Sequence, residues 1–243
     1  MQIIVATLCL VVLMWSEAAS AQTRTYSVSV SRHTDTPPLS PEDVTTILDK
    51  ASKMLQKGPD HVDAEDNVAC DVAFTLKGPV GTFGSPDTPA SVDMPNLDAV
   101  HRVDANVIGA DFGVKVVNEI KNFCRFPNKL GFHGCSFPPN FRSIIVVHPE
   151  KHVDAKKQRI FPFPDHILWA HEFGHLTGLG HREHKPDQRP LMTTCPLNEA
   201  FSSVPDSRVL VSRQECSCLR SGPGFGPNGT CGLPGPVPCS PLK

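Results

Sequence analysis

Apolar and polar residues alternate from Thr25 to Arg32, setting Tyr26, Val28 and Val30 on one face with the two-residue period of a half-buried strand. The period changes after Ser40. Ser40 offers an N-cap, Pro41 suits a first helical position, and Glu42 and Asp43 supply acids to the first turn. Val44, Ile47, Leu48, Ala51, Met54 and Leu55 follow at helical spacing as far as a stop at Gly58-Pro59. Val68 to Leu76 reads as a second strand with Cys70 inside it, and Gly78 to Pro95, punctuated by Gly and Pro, reads as a loop. From Leu97 to Phe123 the pattern is strand-like, clearest from Val114 to Ile120, while the register between Ala99 and Ile108 stays open. Ser143 to Val147, apolar without a break from Ile144 onward, reads as a strand covered on both faces. Pro162-Phe163-Pro164 then breaks the chain, and Asp165 is the predicted N-cap of a further helix. On that helix Ile167, Ala170 and Gly174 form one stripe, and Leu168, His171 and His175 another. A short closing helix is expected between Val204 and Leu219. Beyond Cys218 periodicity gives way to Gly, Pro and Cys.

The chain of 243 residues is long enough for one domain of ordinary size with a full hydrophobic core. The expected division is an export signal over 1–21, a folded domain over 22–219 and a Gly/Pro/Cys-rich tail over 220–243. The signal rests on the apolar run Ile3 to Trp15, too short to span a bilayer with ease, followed by the small-residue site Ala19-Ser20-Ala21. No later segment is long and apolar enough to cross a membrane, so the mature protein is expected to be secreted or periplasmic without stable membrane insertion. A formal net charge of −2 gives no electrostatic reason to expect nucleic acid as a partner.

Loss of the signal removes Cys9 and leaves an even set: Cys70, Cys124, Cys135, Cys195, Cys216, Cys218, Cys231 and Cys239. In an exported chain this predicts disulfides, with on the order of a hundred connectivities open. A local Cys124–Cys135 bridge is one of them. A cysteine metal site using Cys216, Cys218, Cys231 and Cys239 is the competing reading, although Cys216-x-Cys218 lacks the usual two-residue spacer. Asn228-Gly229-Thr230 is a glycosylation sequon. The acidic stretch His61 to Asn67 raises calcium as a second, weakly supported cation.

The chemistry concentrates between His171 and His181. Two histidines four residues apart on a helix return to one face about 6 Å apart along the axis, within reach of a single cation. His171 and His175 are so placed, and Glu172, one step round, is positioned to deprotonate a water held by that cation. Gly178 favours a left-handed helix end, which turns the chain back to present His181. His184 lies on a polar loop at an offset that does not fit the set.

This run, His171-Glu172-Phe173-Gly174-His175-Leu176-Thr177-Gly178-Leu179-Gly180-His181, resembles the H-E-x-x-H-x-x-G-x-x-H motif of the metzincin metallopeptidases, and Leu191-Met192-Thr193 resembles their Met-turn. The resemblance implies an α+β fold, a metzincin-like catalytic domain: a twisted mixed sheet with two helices above it and a small irregular lower subdomain holding the Met-turn. It also implies one catalytic Zn2+ on His171, His175 and His181, Met192 as a hydrophobic floor beneath the imidazoles, and a peptide strand bound antiparallel along a sheet edge. The implied activity is that of a zinc endopeptidase acting on protein or peptide substrates through a zinc-bound water, with Glu172 as general base. No subfamily follows. Arg182 succeeds the third histidine, and Thr194 stands two residues after Met192, where astacins and serralysins carry a tyrosine; the only tyrosine here is Tyr26. Two alternatives remain: a secreted zinc-containing binding module without turnover, and a thermolysin-like gluzincin taking Glu199 as its third ligand.

Overall fold

The computed structural model describes residues 22–57, 68–85, 88–103, 109–121, 134–136, 142–152, 164–182, 189–193 and 209–223. The expected signal over 1–21, the acidic stretch 61–67, Cys124, His184, Cys195, Glu199, the sequon and nearly all of the tail lie outside these residues.

The first strand, β1 (Arg24–His33), and the first helix, α1 (Pro41–Lys57), fall where the two periods place them. Ser40 accepts from the Asp43 backbone N–H on its hydroxyl at 3.1 Å and donates to the Asp43 carboxylate at 2.6 Å, which closes the first turn. β2 (Val72–Leu76) starts later than its apolar pattern predicts. Asp71 takes a left-handed φ of 49°, so the extended path begins only after it, and Cys70 precedes the strand instead of lying within it.

β3 (Gly81–Phe83), β4 (Ser91–Val92) and α2 (Met94–Arg102) occupy the segment expected to be loop and strand. The helix is specified by a capping box that runs through Asp93 and Asn96, with Leu97 and Val100 buried on its inner side. β5 (Phe112–Val117) and β6 (Glu119–Ile120) divide the best-defined strand pattern, and β7 (Gly134–Ser136) follows. β8 (Ser143–Val147) matches its apolar run and is buried along its whole length.

α3 (Asp165–Leu176) comes next. Its N-cap is Pro164, with no side-chain capping bond, so Asp165 is the first helical residue and not the cap. As such it still sets an acid against the positive end of the helix dipole. β9 (Arg189–Pro190), β10 (Val209–Leu210) and α4 (Arg213–Ser221) complete the described chain. α4 runs past residue 219 and ends at Gly222 (φ 86°), so the start of the expected tail belongs to the folded domain.

The main sheet is mixed, in the order β2-β1-β5-β8-β7, with β3 also paired to β1. All its pairings are parallel except β7 against β8, which is antiparallel and forms one edge. Side-chain alternation divides the interior into two clusters on opposite faces of this sheet. On one face Val28, Val30, Val114, Val116, Ile144 and Val146 pack with α1, α3 and Leu219 of α4. On the other, Val117, Ile145, Val147 and Cys135 pack with Leu97 and Val100 of α2. The fold is thus α+β with a mixed sheet and four helices among the described residues. None of these helices is long and apolar enough to cross a membrane.

Cys70 and Cys216 form a disulfide that joins the start of β2 to α4 across 146 residues of sequence. Cys218 is disulfide-bonded as well. A metal site built on Cys216 and Cys218 is therefore excluded, because a sulfur in a disulfide is no thiolate ligand. The bonding is compatible with an oxidising compartment.

Candidate metal centre

The site is built at the C-terminal end of α3, where the helix stops in a Schellman arrangement. Gly178 N–H donates to His175 O at 2.9 Å and Leu179 N–H to Gly174 O at 3.0 Å, with Gly178 at φ 91°. A residue with a Cβ would be strained at that φ. The turn reverses the chain within three residues and brings His181 back against the two histidines of the helix.

The three imidazoles converge through their Nε2 atoms. His171 and His175 are 3.1 Å apart, His175 and His181 2.8 Å, and His171 and His181 3.3 Å. Tautomer chemistry gives this triangle its meaning. A neutral imidazole has one N–H, and in His171 and His175 it is drawn to Nδ1 by backbone carbonyls, Leu191 O at 2.6 Å and Leu179 O at 2.8 Å. Both Nε2 atoms then present lone pairs toward each other and toward His181, an arrangement that a cation held between them satisfies. Tetrahedral coordination with metal–nitrogen bonds of about 2.0–2.1 Å sets nitrogens about 3.3 Å apart, close to the separations here. The group can hold a metal ion.

Burial keeps these imidazoles in the form that can coordinate. His171 is pushed down to about 3 by burial and the neighbouring His175, and His181 to about 2 by burial and the other two imidazoles. His175 is lowered by burial too. All three are therefore neutral at physiological pH.

Glu172 lies one residue after His171 and is 4% exposed. Burial pushes its carboxyl up to about 8, with the Ser136 hydroxyl pulling the other way. Its Oε2 has no hydrogen-bond partner among the described residues. β7 runs beside it: Ser136 Oγ donates to the Glu172 backbone carbonyl at 3.0 Å, and a Cβ built on Gly134 would come within 2.5 Å of Glu172 Oε1. Sequence reasoning missed Gly134 and Ser136, because nothing in a three-residue strand signals which helix residue it will face.

Met192 sits in a turn closed by Thr193 N–H on Pro190 O at 3.3 Å and is fully buried. Its side chain packs against α3 at Gly174, where a Cβ would collide with Sδ, so the sulfur lies under the helix beside the residue preceding His175. The same turn supplies Leu191 O to His171. The residues singled out from the sequence, His171, Glu172, His175, His181 and Met192, are thus brought together around one end of α3. No protein-family model matches this chain, and no curated protein sequence matches it. The case for function accordingly rests on the site itself.

Proposed function

We propose that this chain is an exported, metzincin-like zinc endopeptidase. The observation that carries the reading is the Nε2 triangle of His171, His175 and His181, with the lone pairs of the first two turned inward by carbonyls on Nδ1 and with Glu172 Oε2, unpartnered among the described residues, next to it. Three neutral histidines with one coordination position left over favour zinc in a catalytic role over a closed structural site. When bound, zinc lowers the pKa of a water toward neutrality and polarises a carbonyl oxygen.

The chain's own residues do the rest. Glu172 takes the proton of the attacking water on Oε2 and delivers it to the departing amine, a general base that becomes a general acid. Its burial suits it to both halves, because a carboxyl held near neutral pKa gives up a proton as readily as it accepts one. The outer edge of β7 has no partner strand among the described residues, so an extended peptide can add there as a further antiparallel strand and bring its backbone past Glu172. Gly134 allows this strand to lie against the carboxyl. Leu191 and Leu179 hold two ligands through main-chain carbonyls, which fixes ring orientation and raises basicity at Nε2.

The test is digestion of a peptide library read by mass spectrometry, with wild type, metal-stripped wild type and Glu172→Ala side by side. Cleavage is expected only from metal-loaded wild type. A Glu172→Ala protein that cleaves as well as wild type would end the proposal, and a zinc-loaded wild type that cleaves nothing would favour a binding module.

A further inference from the structure

Two of the three imidazoles are aimed by backbone carbonyls, but among the described residues no acceptor meets Nδ1 of His181. His181 also lies outside any helix or strand. The adjoining residue, Arg182, is held at three points. The Arg182 N–H donates to Met192 O at 2.9 Å, its Nε lies 3.1 Å from Glu215 Oε1, and its Nη2 reaches Leu210 O at 3.5 Å. Glu215 is 1% exposed at its side chain, and its second oxygen is also engaged, accepting the Ser212 N–H at 2.6 Å in the capping box of α4.

α4 is itself firmly fixed. The Cys70–Cys216 disulfide anchors its first half, Leu219 is fully buried, and the Tyr26 hydroxyl meets the Leu219 and Arg220 carbonyls, each at 2.8 Å. The Leu210 carbonyl is a shared node. It accepts the Leu191 N–H at 2.9 Å, and Leu191 O in turn takes the His171 ring, so the segments carrying His171 and His181 are tied to the same strand, β10. An arginine suits this junction because its planar fork addresses a carboxylate and a carbonyl at once.

We propose that Arg182 and Glu215 are positioning residues for His181: their ion pair transmits the rigidity of α4 to the third imidazole. The inference rests on the reading of the three histidines as a metal site. It assigns α4, distant in sequence from the motif, the work that a carbonyl does for the other two rings.

The test uses full-length protein and Zn2+ alone, with affinity measured by chelator competition, ligand geometry by the absorption bands of the Co2+-substituted form, and thermal stability measured without metal. Glu215→Gln keeps the side-chain volume and an oxygen for the Ser212 N–H but removes the charge. It is expected to weaken Zn2+ binding by about ten- to a hundredfold, the range typical of residues that orient ligands, and to shift the Co2+ bands. Arg182→Met should do the same, and the double variant should be no weaker than the worse single one, because both delete one interaction. Ser212→Ala removes the capping hydroxyl without touching Arg182. It should lower thermal stability and leave Zn2+ affinity unchanged.

If Arg182→Met fails to fold for want of a counter-ion to a buried carboxylate, Glu215→Gln decides. Wild-type affinity and wild-type Co2+ bands in Glu215→Gln, or an equal loss of affinity in Ser212→Ala, would overturn the positioning role. His181→Ala separates the two levels: wild-type Zn2+ affinity in that variant would remove the metal site itself, whereas loss in His181→Ala with retention in Glu215→Gln would remove only this inference.

Discussion

Glu172 and Gly134 stand so close that a Cβ at residue 134 would lie 2.5 Å from the glutamate Oε1, 2.7 Å from Cγ and 2.8 Å from Cδ. All three atoms belong to the carboxyl end of one side chain, so even the smallest substitution must turn that carboxyl away. If the chain is the proposed zinc peptidase, Gly134→Ala is expected to reduce kcat by about a hundredfold, the cost of displacing the proposed general base by about an ångström, while zinc content stays unchanged. Steady-state kinetics beside metal analysis would check it. An alanine variant with wild-type kcat would show that the carboxyl has room to move without consequence.

Much of this arrangement is legible along the chain, and what is not follows a pattern. α1 announces itself because a long apolar pattern at helical spacing coincides with a clear boundary at Ser40-Pro41, and β8 because its apolar run is unbroken from Ile144 to Val147. The three-histidine end of α3 is legible for a similar reason: i, i+4 spacing and a glycine helix end are local features. α2 is not, because its cap uses Asn96 where the familiar box has Glu or Gln, and Leu97 and Val100 are too few to set a period. Gly134, Ser136 and Glu215 were beyond reach for a different reason. Each matters through a partner that only the register of β7 on β8, or the docking of α4, brings near.

A pH dependence of stability follows from His101, which is buried against Ser143, its Nδ1 2.9 Å from the Ser143 Oγ. Burial, reinforced by the Lys115 ammonium, pushes its pKa down to about 4. The folded state therefore binds this proton less readily than the unfolded state, whose histidine titrates near the ordinary value of about 6.5. Stability is fully present above the unfolded value and is lost as pH falls toward the folded one. Between pH 7.5 and 5 the loss from this residue is about 2 kcal/mol. Urea unfolding of metal-free wild type and His101→Gln at both pH values should show the wild type losing more by about that amount. Equal losses would mean that His101 does not resist protonation in the fold.

The Cys70–Cys216 bond closes a long stretch of chain, with 146 residues separating its ends, and fixes α4 to the start of β2. Loss of a native disulfide typically costs about 2–5 kcal/mol, and loop-closure entropy for a stretch of this length puts replacement of both cysteines by alanine toward the upper end of that range. In protein recovered from an oxidising compartment, thiol titration under denaturing, non-reducing conditions is expected to find no free thiol. Two or more would show incomplete pairing.

The identity of the third ligand can be read from stability as well as from metal content. The turn at Gly178 delivers His181 Nε2 to within 2.8 Å of His175 and 3.3 Å of His171, so a metal held by all three binds the folded chain and has no equivalent site in the unfolded one. A ligand of that kind stabilises by mass action, by about 2.7 kcal/mol at a hundredfold excess over its dissociation constant. Zn2+ should therefore raise the melting temperature of wild type, and it should do so equally in Glu172→Ala, because that residue moves protons and holds no metal in this proposal. His181→Ala leaves two imidazoles, too few for tetrahedral geometry, and its melting temperature should respond little to Zn2+ at the same concentration. Glu199→Ala should behave as wild type. If instead Glu199→Ala lost the response and His181→Ala kept it, the third ligand would be the downstream glutamate, and the Schellman turn at Gly178 would be only the end of a helix.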